Sequence, residues 1–177
     1  MTLTHTILAA IASEPQTGYD LSKRFDDSVG FFWKASQQQI YRELAKMEDR
    51  GLLSSEIIPQ VGRPAKKLYS LTEEGLRELK TWIVQPSDPM AIREDLLVKV
   101  MAGHLVSREE ILQELQHRRQ IHAQQLSIYR HKEKTIFGNL AKLPLEKQCL
   151  YLTLRRGILY EENWVAWCDE AIEILER

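Results

Sequence analysis

The feature that most constrains this sequence is the run of residues 107–137, which contains neither proline nor glycine. Ser107 and Glu110 open the run as a capping box, in which a serine and a glutamate three residues later satisfy each other's unpaired backbone N–H groups. A helix over the whole run would be about 45 Å long at the standard rise per residue. Such a rod cannot fold back into a small globular core. It therefore predicts a C-terminal half built from long helices that pack side by side.

The last part of the chain supplies a second long helix, which begins after Pro144. Two series of positions there follow the alternating steps of three and four residues that are typical of coiled coils. One series includes Leu150, Gly157, Tyr160, Trp164 and Trp167, and the other includes Leu154, Ile158, Val165, Cys168 and Ile172. Because one partner helix does not easily cover both seams, we expect an antiparallel, coiled-coil-like dimerisation domain. Its predicted interface residues are Leu154, Ile158, Tyr160, Trp164, Trp167 and Ile172.

The N-terminal part alternates short helical stripes with turn signals. A first apolar stripe ends before Pro15, and Thr17 is a predicted N-cap for a second helix. Ser36 and Gln39 form another capping box, which predicts a third helix with a core face of Ile40, Leu44 and Met47. A basic residue and a glycine, Arg50 and Gly51, end that helix.

Two strands and a fourth helix complete this part. Residues 52–59 and 65–71 predict a β-hairpin around a turn at residues 60–64, and Thr72 caps a helix whose predicted buried stripe is Leu76, Leu79 and Ile83. Prolines in residues 85–89 break the chain, which predicts domains over 1–84 and 90–177. A connecting helix follows, with Ile92, Leu96 and Val100 on one face. The predicted fold is mainly α, with an N-terminal winged helix-turn-helix, a two-stranded β-wing and a helical dimerisation domain.

Three helices followed by a hairpin is the order of a winged helix-turn-helix, whose third helix enters the major groove of duplex DNA while the wing meets phosphates. Glutamine amides and an arginine on the polar face of the third helix can bond base edges, and a helix N-terminus attracts phosphate. The predicted DNA-binding residues are Ser36, Gln37, Gln38, Tyr41, Arg42, Lys46, Arg63, Lys66 and Lys67.

The net charge of the chain is only −1, so a DNA contact depends on local clusters. The wing offers one, since Arg63, Lys66 and Lys67 bring positive charge without an acidic residue between them. A winged-helix module that binds protein instead of DNA remains the alternative, and the near-neutral charge permits it. The basic wing favours DNA.

Several motifs resemble the PadR family of transcriptional regulators. They are Gly18-Tyr19-Asp20-Leu21, Gln39-Ile40-Tyr41-Arg42-Glu43-Leu44, Gly62-Arg63-Pro64 and Tyr69-Ser70-Leu71-Thr72. Arg93-Glu94-Asp95-Leu96 and Trp164-Val165-Ala166-Trp167 extend the similarity to a longer branch of the family, which includes a virulence-gene activator. The resemblance implies a homodimer on an operator with dyad symmetry, and no catalysis. Many members have glycine near Gln38 and proline at the position of Arg42, so the operator sequence is not transferable.

Other partners and activities are weaker interpretations. Some relatives respond to small phenolic or drug-like ligands, so a small-molecule effector is a candidate partner. The sequence shows no matching set of pocket residues.

His117, His122 and His131 are not spaced to place metal ligands on one helical face, and no nucleophile elbow or phosphate loop is present. We therefore predict no enzyme activity, cofactor or metal site. No basic leader or long apolar run is found, which predicts a cytoplasmic protein.

Overall fold

A computed structural model describes residues 3–25, 34–60, 62, 65–89, 91–137, 140 and 143–177 of the chain. The chain divides into two compact units, Met1–Pro89 and Met90–Arg177. The aromatic residues at 31–33, and Arg63 of the predicted wing, lie outside the described residues. No helix among the described residues is long and apolar enough to cross a membrane.

In the described residues of the first unit there are four helices and a small antiparallel sheet. In chain order these are α1 (Leu3–Ile11), β1 (Gln16–Thr17), α2 (Gly18–Arg24), α3 (Gln37–Asp49), β2 (Leu53–Ile58), β3 (Lys66–Leu71) and α4 (Glu73–Ile83). The predicted caps are confirmed, because the hydroxyls of Thr17, Ser36 and Thr72 each accept a hydrogen bond from a backbone N–H in the first turn of the following helix.

The sheet has one strand more than the predicted hairpin. Its order is β1-β3-β2, with Gln16 opposite Tyr69 and Thr17 opposite Leu68. A strand of two residues is too short to show an alternating pattern, so the sequence carried no signal for it. The pairing anchors the start of α2 to the base of the wing, which is the β2–β3 hairpin.

The core of the first unit lies between α1, α2, α3, α4 and the sheet. Ile40, Leu44 and Met47 are buried as predicted. The predicted stripe of α4 is wrong at two positions, since Leu76 and Ile83 are exposed and only Leu79 is buried. Close approach sets the rotation of this helix. A side chain at Gly75 would meet the carbonyl oxygen of Leu52, and Trp82 stacks on His5 at 4.5 Å.

The second unit is helical. It contains α5 (Asp95–Met101), a short 3-10 turn (Gly103–Leu105), α6 (Arg108–Ile136) and α7 (Leu145–Glu176). The capping box of Ser107 and Glu110 is confirmed at the start of α6. Helix α7 runs antiparallel to α6, because Arg119 near the start of α6 bonds Asp169 and Glu133 near its end bonds Tyr151.

One seam of α7 packs against α6 within the chain. Ile158, Glu161 and Cys168 of that seam are buried, opposite Leu115, His122 and Tyr129, which recur every seven residues on α6. The other seam is half covered, with Trp164 and Trp167 partly buried and Tyr160 exposed. Several α6 arginines engage in ion pairs within this unit, Arg118 with Glu94 at 3.0 Å and Arg130 with Glu162 at 2.9 Å.

Candidate nucleic-acid interface

The polar face of α3 is the first part of the candidate interface. Ile40, Leu44 and Met47 fix the opposite face of this helix in the core. The side chains of Gln37, Gln38, Tyr41, Arg42 and Lys46 are exposed. We call the exposed side chains of Gln37, Gln38, Tyr41 and Arg42 the recognition face. It combines amide, phenol and guanidinium groups, which are the groups that read base edges and phosphates.

Ser36 serves the helix itself. Its hydroxyl accepts a hydrogen bond from the Gln39 N–H at 3.3 Å, while the Gln39 side chain accepts one from the Ser36 N–H at 2.8 Å. This reciprocal pair satisfies the backbone N–H groups of Ser36 and Gln39 within the chain. The backbone N–H groups of the next residues, Gln37 and Gln38, are the ones at this helix end that an anion can approach.

A glycine of α2 sets the position of Tyr41. A Cβ atom placed on Gly18 would lie 2.5 Å from Cε1 and 2.8 Å from Cζ of Tyr41. The phenol ring thus lies across the first residue of α2, with 42% of the residue exposed. Close backbone approach explains why a residue without a side chain occupies this position.

A side-chain contact to α1 also fixes α3 in the first unit. The Thr4 hydroxyl of α1 donates a hydrogen bond to Glu43. Glu43 also lies 3.8 Å from the ammonium group of Lys46 in the next turn. Lys46, a predicted DNA contact, therefore has an acidic neighbour on its own helix. An exposed ion pair of this kind contributes little to the free energy of unfolding.

The wing is the second part of the candidate interface. Strands β2 and β3 pair over their whole length, from Leu53 opposite Leu71 to Ile58 opposite Lys66. Gly62 in the connecting turn has a φ of 70°, a left-handed conformation that favours glycine. Lys66 and Lys67 begin β3, and both are exposed.

Lys67 is not an isolated positive charge. Its Nζ lies 2.5 Å from Oε2 of Glu48 near the end of α3, and the Ser55 hydroxyl donates to the other carboxylate oxygen at 2.5 Å. The hydrogen bonds from Lys67 and then Ser55 hold the pKa of Glu48 below its ordinary value. The Glu48 carboxylate in turn raises the pKa of Lys67. The predicted wing charge is therefore partly neutralised by an acidic residue from another element.

A cleft of about 460 Å³ separates the recognition face from the wing. Tyr19, Tyr41, Gln60, Lys66, Lys67 and Tyr69 contribute to its lining. Tyr69 lies under Lys67, whose ammonium group is 5.4 Å from the ring centre, and burial raises the pKa of the Tyr69 phenol. Phenol, amide and ammonium groups around an open groove suit a polyanionic backbone, and the carboxylate of Asp20, which also lines the cleft, accepts a hydrogen bond from the Thr17 hydroxyl at 2.6 Å.

Sequence patterns did not identify Glu48, Tyr19 or Gln60. Glu48 reads as one more polar residue of an amphipathic helix, and its partners lie 7 and 19 positions away in the chain. Among the described residues, no group of three histidine, cysteine, aspartate or glutamate side chains is arranged to hold a metal ion.

The buried ionisable groups of the second unit form a separate cluster. His122 Nδ1 lies 2.5 Å from Glu161 Oε2, and the imidazole stacks on Trp164 at 4.9 Å between ring centres. His122 and Glu161 are each at least nine-tenths buried. Trp164, which was predicted to lie at a dimer interface, packs on His122 within one chain. Part of its surface is therefore already buried internally.

Two family models match the chain. Residues 7–81 match the model described as the transcriptional regulator PadR-like family, and residues 92–176 match the model described as virulence activator alpha C-term. A probable transcriptional regulator of Mycobacterium tuberculosis is 33% identical, in an alignment that covers 100% of this chain and 99% of the relative.

Two solved structures show the same architecture. The Vibrio cholerae virulence activator AphA is 34% identical, with a TM-score of 0.79 over 99% of this chain and 98% of that one. Bacillus subtilis PadR in complex with operator DNA is 25% identical, with a TM-score of 0.86 over 98% of each chain. The similarity therefore extends through both units.

Proposed function

The chain belongs to the PadR-like family of transcriptional regulators, and from this membership we propose that it binds a dyad-symmetric operator as a homodimer, through α3 and the wing. The predicted resemblance and the predicted DNA-binding function are thereby confirmed at the level of the family. The observation that carries the detailed proposal is the exposed recognition face of α3 beside an open cleft and a lysine-bearing wing.

In this proposal the two elements act differently. Gln37, Gln38 and Arg42 contact base edges, where a bidentate bond discriminates between bases. Lys66 contacts phosphate, whose charge is the same at every base pair. Tyr41, held against Gly18, contacts phosphate or a thymine methyl group.

The dimer is proposed from the surface of the second unit. Ile158 is fully buried within the chain, so we assign it to internal packing. Tyr160, Trp167 and the partly buried Leu154 and Ile172 keep surface for a partner. Large apolar side chains of α6 and α7 are also exposed, namely Ile121, Ile128, Leu152 and Leu159. A second copy of the chain would remove this apolar surface from water.

The alternative, a winged-helix module that binds only protein, is not favoured. The relative with 33% identity is a probable transcriptional regulator, and Bacillus subtilis PadR is observed with operator DNA. Both comparisons extend over nearly the whole of this chain.

Selection from a random duplex library, followed by footprinting on the enriched sequence, tests the proposal. Two recognition faces related by a twofold axis require an inverted repeat, with half-site centres about 34 Å or a multiple apart. We expect protection of both half-sites by one dimer. Enrichment of no sequence would contradict DNA binding, whereas protection of a single unpaired half-site would contradict only the dyad geometry.

A further inference from the structure

Glu48 joins the two parts of the candidate interface. It lies in the last turn of α3, while Ser55 and Lys67 belong to the two strands of the wing. In the sheet Ser55 is opposite Tyr69 and Ile57 is opposite Lys67. Alternate residues of a strand share a face, so Ser55 and Lys67 lie on the side of the hairpin that meets α3. The Glu48 carboxylate therefore links both strands of the wing to α3.

Stability alone does not account for this arrangement. The side chains of Lys67 and Glu48 are 43% and 30% exposed, and pairs in water-accessible positions contribute little to the free energy of unfolding. The two hydrogen bonds to Glu48, which connect α3 with both strands of the wing, do restrict the relative movement of these elements. One of these bonds pairs the ammonium group of Lys67, which the sequence predicts to contact phosphate, with a carboxylate. A phosphate approaching Lys67 would meet the negative charge of Glu48.

Lys66, the adjacent wing residue, is in a different situation. It is exposed, and within the described part of the chain it has no ion-pair partner. Its charge is therefore available to a DNA backbone without displacement of an internal partner.

We propose that Glu48 is a positioning residue for DNA recognition: through Lys67 and Ser55 it holds the wing at a fixed distance from the recognition face of α3. Lys66 then serves as the phosphate contact of the described wing, and Lys67 as an internal tie. The inference rests on the proposed function, since it concerns how the same interface is shaped. Its consequence is that an acidic residue increases the specificity of a DNA-binding surface.

The test compares the wild-type chain with four variants: Glu48→Gln, Lys67→Gln, the double variant and Lys66→Gln. The probes are the duplex that wild-type protein enriches from a random library and a scrambled duplex of equal composition. Affinity for each is measured over a range of salt concentrations. Circular dichroism and thermal unfolding confirm that each variant is folded.

The expected results separate positioning from phosphate contact. Glu48→Gln should lower the ratio of enriched to scrambled affinity by about fivefold, a coupling of ordinary size for contacting residues. It should also strengthen binding to scrambled DNA, because the positive charge of Lys67 is no longer neutralised by a carboxylate. Lys67→Gln should lower the ratio similarly without changing the salt slope, and the double variant should be no worse than either single one. Lys66→Gln should instead flatten the slope by about two units per dimer, near 0.9 per contact, and keep the ratio.

Three results would overturn the inference while leaving DNA binding intact. They are a slope for Lys67→Gln that flattens as much as that of Lys66→Gln, a ratio unchanged by Glu48→Gln, and multiplicative losses in the double variant. If wild-type protein enriches no duplex at all, the proposed function fails and the inference fails with it.

Discussion

Gly18 lies directly beneath the ring of Tyr41, so close that a methyl group at position 18 would come within 2.5 Å of the ring. This contact joins the first residue of α2 to the recognition face of α3. It shows that the orientation of a proposed DNA contact is set by a residue from a different helix.

Gly18→Ala should weaken operator binding while leaving the fold intact. The methyl group displaces the partly exposed ring of Tyr41, which is a side chain that can move, so the backbone of α2 keeps its place. Fluorescence anisotropy on the enriched duplex and urea denaturation measure the two effects. Gly75→Ala is the matched control. Its Cβ would meet the Leu52 carbonyl oxygen at 2.2 Å, so it should lose about 1–3 kcal/mol of stability. Equal binding by wild type and Gly18→Ala would show that Tyr41 is not a DNA contact.

Gln38→Ala and Arg42→Ala should each reduce the preference for the enriched duplex over scrambled DNA. Loss of a bidentate base contact costs about 1–3 kcal/mol of discrimination. Gln38 carries no charge, so its variant should keep the wild-type salt slope. Gln113→Ala, an exposed glutamine of α6, is the control. A specificity ratio unchanged in both recognition-face variants would mean that α3 does not read bases.

Wild-type protein should sediment as a species of twice the 20.6 kDa chain mass at micromolar concentration. Two neighbouring residues of α7 should then behave differently. Leu159→Gln, at a residue that is 46% exposed, should shift the equilibrium to monomer and leave the helix content unchanged. Ile158→Ala, at a fully buried residue, should cost about 2–5 kcal/mol of stability. A wild-type species at the chain mass alone would contradict the dimer.

Acid should weaken the helical unit through two carboxylates. The hydrogen bond from Lys99 lowers the pKa of Glu114, and that from Arg119 lowers the pKa of Asp169. A carboxyl group with a lowered folded pKa adds stability above its unfolded pKa, and this contribution disappears as the pH falls through the folded value. Both pairs are partly exposed, so each contributes up to about 1 kcal/mol. Urea midpoints between pH 7 and pH 3 should therefore fall less for Glu114→Gln and Asp169→Asn than for wild type. Parallel curves would show that these pairs are not formed.

Glu161→Ala should destabilise the helical unit by about 3 kcal/mol, because it leaves the buried Nδ1 of His122 without its partner. Nε2 of His122 is buried without a hydrogen-bond partner among the described residues, so the ring has no second polar contact to compensate. Glu161→Gln keeps an acceptor oxygen at the same place and should lose less. Chemical denaturation measures both variants. Similar losses for alanine and glutamine would indicate that the negative charge, rather than the hydrogen bond, is what matters.

Local signals were sufficient to predict where four of the helices begin, although α5 begins at Asp95 and leaves out Ile92. A hydroxyl three residues ahead of the N–H group it caps is visible in the sequence, and Thr17, Ser36, Thr72 and Ser107 all cap as expected. The polar face of α3 was also predictable, because a helix with one apolar stripe leaves the opposite residues in water.

Contacts between distant residues had no such signal. Gln16 pairs with Tyr69 in the sheet, and Glu48 forms an ion pair with Lys67. The local sequence around one residue of each pair does not reveal its partner. The rotation of α4 likewise depended on the close approach of Gly75 to Leu52, which exposed Leu76 and Ile83.

The sequence by itself thus determined the caps of four helices, the wing hairpin and the amphipathic face of α3, since these arise from interactions between residues close together in the chain. Only the tertiary structure decided which seam of α7 is used within the chain, which glycine supports Tyr41 and which wing lysine already has an acidic partner. These depend on how separately encoded elements are brought together. Side chains that are far apart in the chain become neighbours only when the cores have formed.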